Sequence, residues 1–156
     1  IGGMGCGISN ADSPTPHLTA ALAQSAQRLP FPPTLIYVCT KREAESVAQS
    51  LVECRLLGGI RVAYYHAGMS MEHRSAVQQA FSRDEVQVVA ATIAFGMGIN
   101  KPDIRILVHF GMPQSLEAYY QQTGRAGRDG AQARCVMLYN PQDAVRAFNI
   151  ASRDKE

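Results

Sequence analysis

Five short, nearly continuous apolar runs alternate with segments that carry apolar residues at helical spacing, and this rhythm leaves the chain few folds to adopt. The runs are Thr34 to Cys39 (TLIYVC), Ile60 to Tyr65, Val86 to Thr92 (VQVVAAT), Ile104 to Phe110 and Arg134 to Tyr139. Runs of this length with little polar alternation suit strands buried on both faces of a parallel sheet. Thr40-Lys41-Arg42-Glu43 reads as a capping box, because Thr40 can accept from the third amide while Glu43 reaches back. The helix it opens carries Ala44, Val47, Ala48 and Leu51 on one face and ends at Gly58-Gly59. Ser70 opens a second helix, with Ala76, Val77, Ala80 and Phe81 expected inward. Ser115 or a neighbour caps a third, bearing Leu116, Tyr119, Tyr120 and Thr123, and Pro141 starts a last one. Strand and helix in alternation predict an α/β fold, a parallel sheet sandwiched between helices. Right-handed crossovers then bring the carboxyl ends of all strands to one edge, where such sheets bind ligands.

The chain has 156 residues, 46% of them hydrophobic, enough for one buried core and too few for two full domains. Residues 1–14 are expected to be a Gly-rich lead-in or linker and residues 15–156 the domain, whose first helix starts at Thr15-Pro16 and runs to the breaker Pro30-Phe31-Pro32-Pro33. A formal net charge of +2 excludes recognition by bulk basicity, so any phosphate contact must come from local placement of Lys and Arg. Cys6, Cys39, Cys54 and Cys135 have neither the paired spacing of a zinc site nor the density of a disulfide framework. No metal site is therefore expected, and the thiols suit a reducing compartment. No apolar run approaches the roughly 20 residues that span a bilayer, and no secretory signal opens the chain, so an intracellular protein without a membrane is expected.

The polar and glycine residues that carry chemistry fall in the loops after the strands. In Tyr119 to Gly130 (YYQQTGRAGRDG), Arg125 and Arg128 lie three apart and share one face of a helical turn. Gly124, Gly127 and Gly130 leave the backbone bare for close approach. Paired guanidinium forks on a thin backbone match the oxygens of a polyphosphate. Two arginines alone are better explained as a solvated, salt-bridged turn with glycines serving as caps. In Ala91 to Arg105 (ATIAFGMGINKPDIR), Thr92 ends a strand, where a hydroxyl and amides can hold a phosphate, and Asn100 has the donors and acceptor for a ribose hydroxyl. Thr40 and Lys41 sit at a helix N-terminus, which favours an anion. Tyr65-His66-Ala67-Gly68-Met69 follows the second strand, and an ordinary loop explains it as well as a site does.

Together and in order, these segments resemble the conserved motif set of the C-terminal RecA-like domain of superfamily 2 helicases, in the form found in the RecQ family. LIYVCTK resembles motif IV, AYYHAGM the RecQ Tyr-His-Ala-Gly element, ATIAFGMGINKPD motif V and YYQQTGRAGRDG motif VI. Ala94-Phe95-Gly96-Met97-Gly98 and Gln121-Gln122 stand where DEAD-box RNA helicases carry Ala-Arg-Gly and His-Arg.

The resemblance implies a RecA-like domain whose Arg128 is the arginine finger that reaches the γ-phosphate across an interdomain cleft, with Arg125 its companion. It implies that Gln121, Gly98 and Asn100 lie at the nucleotide, and that Thr40, Lys41, His66, Gly68 and Thr92 line the path of single-stranded DNA. The implied partners are single-stranded or duplex DNA and a first RecA-like domain. The implied cofactor is ATP with Mg2+, bound mainly by that other domain. No GxxxxGK[ST] and no Asp-Glu-x-His occurs here, so the chain alone is expected not to hydrolyse ATP. Movement from 3′ to 5′, and nuclear residence in a eukaryote, are family expectations. The alternatives are an RNA-directed helicase domain and a catalytically silent RecA-like interaction domain.

Overall fold

The computed structural model describes residues 17–18, 22, 31–54, 59–96 and 99–143. The lead-in, most of the first and last helices, Gly58 and Gly98 lie outside the described residues. Five strands form one sheet: β1 (Thr34–Val38), β2 (Val62–Tyr65), β3 (Val88–Ala91), β4 (Ile106–Phe110) and β5 (Arg134–Leu138). Their order is β2-β3-β1-β4-β5 and every pairing is parallel. The expected sandwich is therefore present, with each strand inside its expected run.

The apolar runs explain this sheet because both of its faces are covered. Ile36 and Val38 of β1, Val88 and Ala90 of β3 and Ile106 and Val108 of β4 point to one side. There they meet Ala44, Val47, Ala48 and Leu51 of helix α1 (Lys41–Glu53). Leu35 and Tyr37, Val89 and Ala91, and Leu107 point to the other side. There they meet Phe81 of helix α2 (Met71–Ser82) and Phe95 of a short 3-10 helix, Ile93–Gly96. Full burial of each large side chain contributes about 1.5–3 kcal/mol, so neither face can be uncovered cheaply.

The helix starts follow from their caps. Thr40 accepts from the Glu43 amide at 3.1 Å while Glu43 Oε2 accepts from the Thr40 amide at 3.0 Å. Ser70 and Ser115 accept from the amides three residues on, the second opening helix α3 (Leu116–Thr123). At Pro141 a helical turn begins, boxed by Asn140 and Asp143 in reciprocal bonds of 2.9 and 3.0 Å. The inward face of α2 departs from expectation only at Ala76. Val77, Ala80 and Phe81 turn inward as expected, joined by Arg74 and Gln78, while Ala76 is exposed. Phe81 is fully buried and anchors a stripe spaced i, i+3, i+4, i+7 that passes Ala76 by. Among the described residues no helix is long and apolar enough to cross a membrane.

Candidate nucleotide and nucleic-acid interface

The carboxyl ends of β2, β3 and β1 are neighbours in the sheet, so the loops that follow them form one continuous edge. Thr40 and Lys41 stand exposed on it at the start of α1. Thr92 follows β3 and is half-buried; its amide donates to the Tyr65 carbonyl at 3.1 Å and its carbonyl accepts from Phe95 at 3.0 Å. Gly68 is exposed next to Lys41, and a Cβ at Gly68 would lie 3.4 Å from Lys41 Cδ and 3.2 Å from His66 Nδ1. The fold thus brings Thr40, Lys41, His66, Gly68 and Thr92 to one rim.

His66 differs from its neighbours on that rim. It is buried, and its Nδ1 accepts from the Gly68 amide at 3.2 Å. The ring proton therefore sits on Nε2, which donates to Glu45 Oε1 at 2.9 Å. Tyr64 stacks on the ring at 5.6 Å. Both imidazole nitrogens are engaged within the chain, so the ring holds the turn in shape and offers no donor outward.

The arginine segment lies on the sheet face that carries Phe95. Arg125 is half-buried, and Gly96 is the reason it fits: a Cβ on Gly96 would come within 2.9 Å of the Arg125 Nη2. Tyr37 lies buried on the same face. Burial pushes the Tyr37 phenol up, against the pull of the Arg125 and Arg128 charges. Arg128 is exposed, and its Nε donates to the Gly124 carbonyl at 3.0 Å. Gln121 and Asn100 are exposed, and Gly98 lies outside the described residues.

A polar cluster beside Arg125 was not visible in the sequence. Tyr37 and His109 are register partners on β1 and β4 and stack at 5.9 Å. His109 Nε2 donates to Gln122 Oε1 at 2.8 Å, and both side chains are buried. Burial lowers the His109 pKa, with the Gln122 bond acting the other way. Among the described residues four buried side-chain N or O atoms lack a hydrogen-bond partner, and three of them meet here: Tyr37 Oη, His109 Nδ1 and Arg125 Nε. The Tyr37 hydroxyl lies within hydrogen-bonding reach of the Arg125 side chain, so these atoms form one polar patch between β1, β4 and the arginine turn. Tyr37 and His109, with Gln122, line a cavity of about 90 Å3 that Ile93, Met112 and Pro113 also border. The cavity opens where the chain, having built β3 on one side of β1, crosses to build β4 on the other, the crevice where sheets of this kind bind ligands. The only sequence signal was a lone polar ring near the end of each apolar run.

The family of the helicase conserved C-terminal domain matches residues 17–130. This chain is a helicase C-terminal domain of RecQ type. The RecQ helicase of Haemophilus influenzae is 51% identical over 70% of this domain, which covers 17% of that protein. A mimivirus protein named as an ATP-dependent RNA helicase is 45% identical over 74% of the domain, 20% of its own length. The helicase domain thus spans a fifth or less of the curated relatives it matches. The crystal structure of the Escherichia coli DEAD-box protein SrmB superposes on 91% of the domain and 81% of the SrmB chain with a TM-score of 0.70 at 24% identity, a likeness of fold.

Proposed function

We propose that this domain is the second half of an ATP-dependent DNA helicase motor, closing over a nucleotide whose phosphates rest on a first RecA-like domain. The observation that carries the reading is the arginine turn. Arg128 is exposed with its Nε on a carbonyl, and Arg125 is seated against Gly96 with its buried Nε unpartnered. Guanidinium forks presented this way suit developing charge on a transferred phosphoryl group.

In this reading Arg128 is the arginine finger and Arg125 its companion, while Gln121, Gly98 and Asn100 border the nucleotide. ATP carries Mg2+, held by the acidic residues of the other domain. Thr40, Lys41 and Thr92 grip the DNA backbone through hydroxyl, amide and ammonium groups, which read phosphate and ignore base identity. His66 and Gly68 shape the turn beside Lys41. Closure on ATP brings Arg128 to the γ-phosphate and shifts the DNA grip; release reopens the cleft. Movement is from 3′ to 5′ and the protein works inside the cell, in the nucleus of a eukaryote. DNA is the preferred track because the motif V and VI residues take the RecQ form.

The test is DNA-stimulated ATP hydrolysis by the full-length protein. Arg128→Ala should lower kcat by about 10³-fold while single-stranded DNA affinity stays within about threefold. An unchanged kcat removes Arg128 from the reaction.

A further inference from the structure

The turn that carries Arg125 and Arg128 is closed by its own hydrogen bonds, Arg125 to Gln122, Ala126 to Thr123 and Gly130 to Gly127, and is tied to the sheet from outside. Gly127 and Gly130 sit at φ 63° and 81°, and a Cβ on Gly127 would meet the Ala131 carbonyl at 2.8 Å, so the turn closes tightly on itself. What aims it is the segment leading into β4. The Gly127 amide donates to the Ile104 carbonyl at 3.0 Å and the Asp129 amide to the Pro102 carbonyl at 3.3 Å. Arg105 grips the Asp129 carboxylate with both ends of its fork, Nη1 to Oδ1 at 2.9 Å and Nη2 to Oδ2. Asp129 Oδ1 also accepts from the Ala131 amide at 3.1 Å.

The segment doing the aiming is itself anchored. Lys101 is buried, its ammonium 2.7 Å from Asp84, 3.2 Å from Asp103 and 5.4 Å above the Phe81 ring. The Arg105 amide donates to the Pro33 carbonyl at 2.9 Å. Acid and base therefore alternate from the α2–β3 turn through Asp84, Lys101, Asp103 and Arg105 to Asp129. This strut joins the exit of the Gly96–Asn100 loop to the arginine turn. Chiefly through the Arg105 bonds and then the Ala131 amide, the Asp129 carboxyl is held down at about 2, so the pair stays ionised at any working pH.

The side chains of Arg105 and Asp129 remain 27% and 30% exposed, so solvent screens part of what even a two-pronged pair contributes to stability. What a two-pronged pair fixes is direction. We propose that Arg105 and Asp129 form a positioning latch, which sets the angle at which the turn presents Arg125 and Arg128 to the phosphates. The inference rests on the nucleotide reading above. Neither latch residue touches the nucleotide; both act through the arginines.

Full-length protein carrying Asp129→Asn, Arg105→Asp, Asp129→Arg, the reciprocal double exchange or Arg128→Ala would be assayed for ATP hydrolysis with single-stranded DNA. Asp129→Asn keeps Oδ1 for the Ala131 amide and removes the charge, so it isolates the latch from the local fold. Its kcat should fall about tenfold with KM for ATP within about twofold, because a misaimed group costs the chemical step more than binding. Each charge reversal should cost about 100-fold, and the double exchange should recover to within about fivefold of the native protein. Melting midpoints of Asp129→Asn and the double exchange should stay within about 3 °C of the native protein, consistent with an exposed pair. The latch is overturned if Asp129→Asn and both reversals keep kcat within twofold while Arg128→Ala abolishes hydrolysis. It is equally overturned if the double exchange is no better than the single reversals. Unchanged hydrolysis in Arg128→Ala overturns the nucleotide reading itself, and the latch with it.

Discussion

The turn after β2 and the turn after α3 carry the same kinds of side chain and treat them in opposite ways. Around His66 the polar capacity closes on itself: Nε2 reaches Glu45, Nδ1 takes the Gly68 amide, and the His66 carbonyl takes the Met69 amide at 3.1 Å. Around Arg125 it stays open, with three buried atoms lacking partners and Arg128 exposed beside them. Around His66 the imidazole itself is used up within the chain, whereas Arg125 and Arg128 keep terminal guanidinium nitrogens with no hydrogen bond to the turn that holds their backbone. Residue type alone does not make this distinction, since a histidine and an arginine each have nitrogens to offer.

Substitutions on either side can break or sharpen the contrast. The largest effect within this comparison is expected at the open turn. Gly96→Ala places a methyl group 2.9 Å from the Arg125 guanidinium, which is the mobile end of a long side chain and can be pushed aside without disturbing the core. Hydrolysis by the full-length protein should fall about tenfold, with the melting midpoint within about 3 °C of native. Loss of stability in proportion to loss of rate would place Gly96 with the scaffold instead.

The closed turn should respond the other way. His66→Ala removes the buried ring and its hydrogen bonds to the Gly68 amide and Glu45, each bond contributing about 0.5–1.5 kcal/mol to unfolding free energy. Single-stranded DNA affinity of the folded variant should stay within about threefold, because the ring holds the turn rather than the phosphate. A much larger loss of DNA affinity at native stability would show that the imidazole contacts the strand.

The smallest effect is a pH slope. Burial lowers the His109 pKa below its ordinary value of about 6.5, so the unfolded chain takes up a proton that the folded chain refuses. Folded stability is then fully present above about pH 6.5 and declines as pH falls below it, until the folded group protonates too. Melting midpoints measured from pH 7.5 down to pH 5 should show this decline, and His109→Gln should reduce it. Identical slopes would mean that the orphan Nδ1 is freely protonated in the fold.

What the sequence revealed and what it concealed divide by distance along the chain. The Thr40–Glu43 box, the Ser70 and Ser115 caps and the inward face of Ala44, Val47, Ala48 and Leu51 are local, set by spacings of three and four residues. Strand positions followed because burial on both faces makes the runs continuous, although the runs overstate the strands by one to three residues. On α2 the inward expectation failed only at Ala76, which lies off the stripe that Phe81 anchors. The Tyr37–His109 stack needs the register of two strands far apart in the chain. His109 with Gln122, Lys101 with Asp84 and Arg105 with Asp129 are separated by 13, 17 and 24 residues, and no periodicity points from one to the other. The rim residues Thr40, Lys41, His66, Gly68 and Thr92 were legible as a set because strand order gathers the loops. That His66 turns its nitrogens inward was not.

The central claim is that guanidinium groups of this domain complete a reaction centre whose other parts lie on a neighbouring domain. Its most direct test is a structure of the full-length protein with single-stranded DNA, ADP, Mg2+ and aluminium fluoride as a mimic of the transferring phosphoryl group. The account predicts the Arg128 guanidinium at about 3 Å from a fluoride, with Arg125 still seated against Gly96. An Arg128 that remains on the Gly124 carbonyl and faces solvent, in a closed complex with the mimic bound, would contradict it.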